Sequence, residues 1–461
     1  MSTATERLVA FASQLSVESV PNSVADAAKL HMLDTLGCGL AALGMEKGTE
    51  GANLVLEQGG KEEATVIGGA ASVPAASAAL ANGILCHALD FDDTHAGAIA
   101  HVSTVVVPAA VAAAEACGRN GADTLAAIVA GNETVIRVGM AAPGLFHERG
   151  FHPTSVCGVF GATLAAGMLW GITESQLVGA LGIAGSMASG IFEYLADGSQ
   201  TKPLHAGWAA HAAITAAQLA KRGARGPSTV LEGRFGLYAA YLGLGSEELE
   251  RQLSDLGERW ETPKIAYKAY PACHYIHGCL GALREILDSK PVSAEDVQEI
   301  SITVPNDAVR LVLEPIAAKK APRTEYEAKF SLPYSLGAML VNGRVGLDSY
   351  RRSAIDDARA LRLAALVTYE VVDYATCPGA FPGGIKLVTR DGTVLTNRHE
   401  YQKGAPENPL TEAEIREKYR LNAAAVLSSD DIEALERDVV TLEAQQSVRS
   451  LAAPLSRAAT A

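Results

Sequence analysis

Histidine is sparse in this chain, 11 in 461 residues, and most of it falls in five short stretches beside carboxylates, hydroxyls or a lysine. They are Asp90-Phe91-Asp92-Asp93-Thr94-His95, then His101, Phe151-His152-Pro153-Thr154, Lys202-Pro203-Leu204-His205, and Tyr270-Pro271-Ala272-Cys273-His274-Tyr275-Ile276-His277. Imidazoles change charge near neutrality, so rings set beside carboxylates and an ammonium are what proton transfer requires. The rest of the chain is largely alanine, glycine, leucine and valine. This contrast points to an enzyme whose own side chains do the chemistry.

Each stretch also has a plainer reading. The aspartates of 90–93 could cap a helix starting near Ser103, yet two histidines beside them exceed what a surface turn needs. His152 precedes Pro153, a residue suited to the first turn of a helix. A ring there would sit over free N–H groups, which depress its pKa and attract anions. Alternatively it is a staple with no chemistry. Lys202 follows a turn, Asp197-Gly198-Ser199-Gln200, and opens an alanine-rich helix, where it could neutralise a carboxylate or simply face solvent. Cys273, His274, His277 and Cys279 could suggest a metal, but all four lie within seven residues. Zinc sites usually draw ligand pairs from two separated segments, so no metal site is expected there. Phosphate-loop, dinucleotide-binding and nucleophile-elbow motifs are absent.

The elements that must position these residues read as helical up to about residue 265. Helices are expected over 25–43, 75–87, 104–117, 123–138, 154–170, 176–188 and 205–222, with broad apolar faces and many small residues. Thr173-Glu174-Ser175-Gln176 has capping-box spacing, and so does Thr411-Glu412-Ala413-Glu414. Between these boxes the character changes. Residues 297–304 and 366–373 are rich in β-branched side chains, and 385–389 and 393–396 flank Arg390-Asp391-Gly392, a hairpin signal. Helices over 272–289 and 330–341 sit among these strands, and a polar amphipathic helix is expected over 429–447.

The fold class is therefore mainly α with a smaller α+β domain. The small domain covers 266–404, and the helical pattern returns over 405–461, where the tail can rejoin the helical domain of 1–265. A net charge of −14 argues against nucleic acid or an anionic membrane as partner, though not against an acidic substrate. Seven scattered cysteines fit reduced thiols in a cytoplasm, and the amino terminus shows no secretory pattern. The uncharged stretch 150–173 is read as a buried helix, since glycines, His152 and Pro153 make it a poor membrane span.

In order and content, these motifs resemble the MmgE/PrpD family, which includes 2-methylcitrate dehydratases, cis-aconitate decarboxylases and iminodisuccinate epimerases. Asp90 to His95, His152-Pro153-Thr154, Lys202 to His205, Tyr270-Pro271 with His277, and Ala328-Lys329-Phe330-Ser331-Leu332-Pro333-Tyr334 carry the likeness. The resemblance implies a large all-helical domain assembled from both chain ends, 1–265 plus 405–461, a homodimer with no required cofactor, and catalytic roles for His101, His152, Lys202 and His277. Asp90, Thr94, His95, Lys268 and His274 are then expected to hold a small di- or tricarboxylic acid. The expected reaction is that of a hydro-lyase or decarboxylase, 2-methylcitrate dehydratase-like. The alternatives are epimerisation of an iminodisuccinate-like dicarboxylate, or a metal-dependent hydrolase built on the Cys273 to Cys279 cluster. Two departures from the family pattern are His101-Val102, where many members have His-Pro, and Asn306 to Arg310, which offers no tyrosine where some decarboxylases place one.

Overall fold

The computed structural model of the protein describes residues 2–377 and 379–459. The chain forms two compact units, one made by the chain up to Ile265 together with residues from Thr411 on, the other by Ala266–Leu410.

The first unit is a stack of helices. Asn22–Gly44, Ala75–His87, Ser103–Cys117, Gly121–Met140, Gly158–Trp170 and Lys202–Lys221 are buried on most of their faces. A helix that is apolar all round must be surrounded by others, and alanine and glycine permit this without steric cost. At two crossings the backbones touch. A Cβ added to Gly83 would lie 2.7 Å from Gly207 Cα, and one added to Gly161 would lie 2.3 Å from Gly131 O. The first crossing matters for chemistry. His87 lies one turn beyond Gly83, while Lys202 and His205 lie in the first turn of the partner helix, so backbone contact fixes which side chains face each other.

Both expected capping boxes form, Thr173 with Gln176 and Thr411 with Glu414. Several helix starts differ from expectation by a few residues, two of them beside the residues singled out for chemistry. The helix expected over 205–222 begins at Lys202, because Pro203 is accommodated within its first turn. The helix expected over 154–170 is a short turn, Pro153–Val156, followed by Gly158–Trp170, with Cys157 still in right-handed helical geometry between them. Together Pro153–Trp170 is long and apolar enough to cross a membrane by composition, but 89% of it is buried inside the fold.

The second unit holds a four-stranded sheet in the order Val367–Val371, Val297–Val304, Gly383–Thr389, Val394–His399. The first pair is parallel and the other two are antiparallel. Gly392, at φ +81°, makes the expected Asp-Gly turn between the last two strands. Alternate residues of Val297–Val304, namely Ile300, Ile302 and Val304, enter a core with Leu280, Leu283, Leu336 and Leu387. Helix His277–Ser289 rests directly on the sheet, for a Cβ on Gly278 would lie 2.5 Å from Gly383 N. The segment expected to be helical from 272 starts instead with a 3-10 turn at His274–Ile276.

Candidate functional site

The Asp90 to His101 loop leaves the Ala75–His87 helix and is buried throughout its polar part. Asp90 and Ile99 adopt positive φ, +54° and +49°, a conformation that a side chain tolerates only when its surroundings enforce it. Charged contacts hold the residues that follow Asp90. Lys418, on the Glu412–Ala423 helix, donates to Phe91 O at 2.9 Å, lies 3.8 Å from the Phe91 ring centroid, and pairs with Asp34 Oδ1 at 2.7 Å. On the next residues, Asp93 Oδ2 lies 2.9 Å from His31 Nδ1, and Asp93 Oδ1 accepts the Ser103 N–H at 3.2 Å. Asp93 is thus the helix-start aspartate of the plainer reading.

Asp92 turns the other way, into a cluster of rings. Its Oδ2 accepts from His87 Nδ1 at 2.8 Å and from His101 Nδ1 at 3.1 Å. These partners assign the tautomers: each Nδ1 carries a proton, and each Nε2 is left as a lone pair. His101 Nε2 faces the Lys202 ammonium at 3.5 Å, and Lys202 Nζ donates to Asp90 Oδ1 at 2.5 Å. Thr94 Oγ1 stands 3.4 Å from His101 Nδ1, and Thr154 Oγ1 accepts the His101 backbone N–H at 3.0 Å. The result is a buried string, Asp92–His101–Lys202–Asp90, with one lone pair at its centre.

Electrostatics fit that assignment. Burial pushes the His101 pKa down to about 4, against the pull of Asp92, so the ring is neutral at neutral pH. Burial opposes the charge on Asp92, but the His87 and His101 rings outweigh it and hold the carboxyl well below its usual range. Burial likewise opposes the charge on Lys202, and Asp90, with Tyr194 and Asp92 adding to it, outweighs burial, so the ammonium form is retained. A neutral imidazole braced by a carboxylate can take or return a proton, and the adjacent ammonium can hold negative charge that develops on a substrate.

His152 closes the cluster. Its ring stacks on His87 at 5.7 Å between centroids and 19° between planes, and stands edge-on to His101 at 6.1 Å. It is the N-cap residue of Pro153–Val156, yet its side chain makes no capping bond. The expected seat over free N–H groups is therefore corrected: the ring turns toward its neighbours, with Nδ1 3.1 Å from His205 Nδ1. Burial lowers its pKa well below the usual value, with Lys202 adding to the effect. Its backbone is pinned by Gly190 O, which accepts the His152 N–H at 3.0 Å. Gly190, at φ +119°, passes so close to His205 that a Cβ would lie 3.2 Å from its Cγ.

Of the residues singled out from the sequence, Asp90, Thr94, His101, His152 and Lys202 are brought together. His95 is engaged elsewhere. Its Nδ1 accepts the Ala98 N–H at 3.1 Å, its Nε2 lies 3.4 Å from Glu261 Oε2, and burial lowers its pKa to about 4. Lys268, His274 and His277 belong to the second unit, and all three are buried. There His274 stacks on Phe381 at 4.6 Å and meets His277 edge-on at 4.6 Å, while His277 Nε2 lies 3.2 Å from Ala272 O. Cys279 faces the carbonyls of Thr303 and Gly384, and burial raises its pKa to about 12, so it is a protonated core thiol. Sequence reasoning passed over His87 because it closes an unremarkable alanine-rich helix. The available signal was its place five residues before Asp92.

This assembly can be set beside known proteins. Residues 6–250 match the MmgE/PrpD N-terminal domain, and residues 270–443 match the MmgE/PrpD C-terminal domain. A human cis-aconitate decarboxylase is 30% identical over 446 residues, covering 93% of this chain and 89% of that protein. A cis-aconitate decarboxylase-like protein of Aspergillus oryzae is 28% identical over 98% of this chain and 97% of its own length. A mitochondrial 2-methylcitrate dehydratase of Yarrowia lipolytica is 24% identical over 82% of this chain and 75% of its own. With both domain types matched in order across nearly its whole length, the chain belongs to the MmgE/PrpD family.

Proposed function

We propose that the chain is a carboxylic-acid lyase of the cis-aconitate decarboxylase or 2-methylcitrate dehydratase type, working by proton transfer without a cofactor. The observation that carries this reading is the buried string Asp92–His101–Lys202–Asp90. In decarboxylation of a cis-aconitate-like acid, a proton adds to the alkene carbon. The bond to one carboxylate breaks, its electron pair forms a new terminal alkene, and carbon dioxide departs. In dehydration of a hydroxy acid, a proton leaves the carbon beside a carboxylate and hydroxide leaves its neighbour. Both reactions need a proton carrier and a fixed cation for carboxylate or enolate charge, roles suited to His101 and Lys202. His152 stands next to His101 and can serve as the second proton carrier.

Decarboxylation is preferred to dehydration, because the cis-aconitate decarboxylases cover more of this chain at higher identity than the dehydratase does. The test is proton NMR of the full chain with a chelator present, on cis-aconitate, citrate, 2-methylcitrate and iminodisuccinate. New terminal alkene protons from cis-aconitate are expected. Turnover of 2-methylcitrate alone would move the assignment to the dehydratase, and exchange of a carbon-bound proton without net reaction would move it to an epimerase. No change in any of the four would overturn the reading.

A further inference from the structure

The same cluster has a property that proton transfer does not require. One ring nitrogen from each of His87, His101 and His152 lies within 4.8 Å of the other two. All three rings are buried, at 1%, 8% and 2% exposure. His87 and His101 each spend Nδ1 on the Asp92 carboxylate, the outer support that fixes the ring of a metal-ligating histidine and raises its donor strength. Most telling is His87 Nε2, which has no hydrogen-bond partner among the described residues. A buried lone pair left unsatisfied costs about 1–3 kcal/mol, so it calls for a ligand or a reason.

We propose that His87, His101 and His152 form a capture site for a divalent transition-metal ion of the zinc class, which blocks the proton-transfer chemistry when bound. Three imidazoles leave a fourth position open to water or a carboxylate, as in three-histidine zinc sites, and they select zinc, cobalt or copper over magnesium and calcium. Asp90 and Asp92, grouped with His101 within the same 4.8 Å, supply the compensating negative charge. Lys202 opposes the ion, since its ammonium stands 3.5 Å from His101 Nε2. Occupancy removes the His101 lone pair from use, so the metal is an inhibitor and not a cofactor.

The blocking rests on the proton-transfer reading above, whereas binding is read without substrate, so the two can fail separately. Full-length protein, stripped with chelator and dialysed, is titrated with Co2+ and followed by its visible d–d bands. One ion should bind with the intensity of four- or five-coordination, yield to Zn2+, and ignore excess Mg2+. His87→Gln and His152→Gln should each weaken binding by about tenfold or more. Lys202→Met should tighten it, an effect that a metal bound elsewhere would not show. His211→Gln, a half-buried histidine whose Nδ1 meets Ala76 O, should leave it unchanged. Absence of a Co2+ spectrum in the wild-type chain would overturn the proposal. So would binding that is indifferent to both histidine variants and to Lys202→Met.

Discussion

Replacing Lys418 with Met should expose how much the Asp90 to His95 loop depends on buried charge. Lys418 is 9% exposed and its partner Asp34 is fully buried, so methionine fills the space but leaves a carboxylate alone in the core. Breaking such a pair costs about 3–5 kcal/mol. The structure supplies a second route to the magnitude. Burial already raises the Asp34 pKa above 3.8, with Lys418 opposing, and Asp93 and His31 are the other titratable groups facing it. Without Lys418 the group must take up a proton to stay buried. At pH 7, neutralising a carboxyl of ordinary pKa 3.8 costs about 4 kcal/mol, at about 1.4 kcal/mol per pH unit. The two routes agree.

The sign follows from linkage. A carboxyl with a raised folded-state pKa binds more protons folded than unfolded, so its contribution to stability falls as pH rises above 3.8. The Lys418→Met deficit should therefore shrink by about 1.4 kcal/mol for each unit of acidification from pH 7 toward 5. Urea unfolding followed by circular dichroism at several pH values measures this, using the first transition because the two units need not unfold together. The double variant Asp34→Asn/Lys418→Met removes the stranded charge and should recover more than half of the loss, with the extra pH dependence gone. A single-variant deficit under about 1 kcal/mol, or one that does not change with pH, would refute the reasoning.

Asp92→Asn removes the charge that both rings donate to, and turnover should fall by about two to four orders of magnitude, as when a carboxylate that orients a histidine base is neutralised. Nitrogen NMR of labelled histidine should then show His101 losing its Nδ1–H tautomer, while circular dichroism shows the fold retained. Gly207→Ala forces a Cβ to 2.4 Å from Leu80 O, so it should lower stability by about 1–3 kcal/mol and reduce activity by prising the helix that ends at His87 from the helix that begins at Lys202. Thermal unfolding with activity at a permissive temperature checks both effects. Acid sensitivity has a defined window. His95, His101 and His205 are held at about 4 by burial against 6.5 unfolded, so between these values the unfolded chain binds more protons. Stability should fall as pH drops from 6.5 toward 4, by up to about 3 kcal/mol for a fully buried ring. A flat unfolding profile across that range would contradict the burial of these histidines.

Helices were legible where small and apolar residues run unbroken, and the helix expected over 75–87 is found as Ala75–His87. Capping boxes and the Asp-Gly turn were legible because their chemistry is local. The parallel pairing of Val297–Val304 with Val367–Val371 was not, since it joins segments separated by several helices. At the site, residue types announced Asp90, His101, His152 and Lys202. The sequence did not say where each ring points. His152 had every local reason to cap its helix, and the neighbouring rings drew it away. His95 shares a motif with Asp90 yet braces its own loop, because one residue of chain turns a side chain to another partner. His87 owes its place to the Gly83–Gly207 contact, a tertiary fact with no local signature.

The most direct test is the turnover of His101→Gln beside the wild-type chain, on whichever acid of the NMR panel reacts, with circular dichroism to confirm the fold. The account predicts a loss of about two to four orders of magnitude in kcat, because glutamine keeps the size of the ring but cannot carry the proton. Turnover within a few-fold of wild type, in a folded protein, would contradict the assignment of His101 as the group that moves the proton.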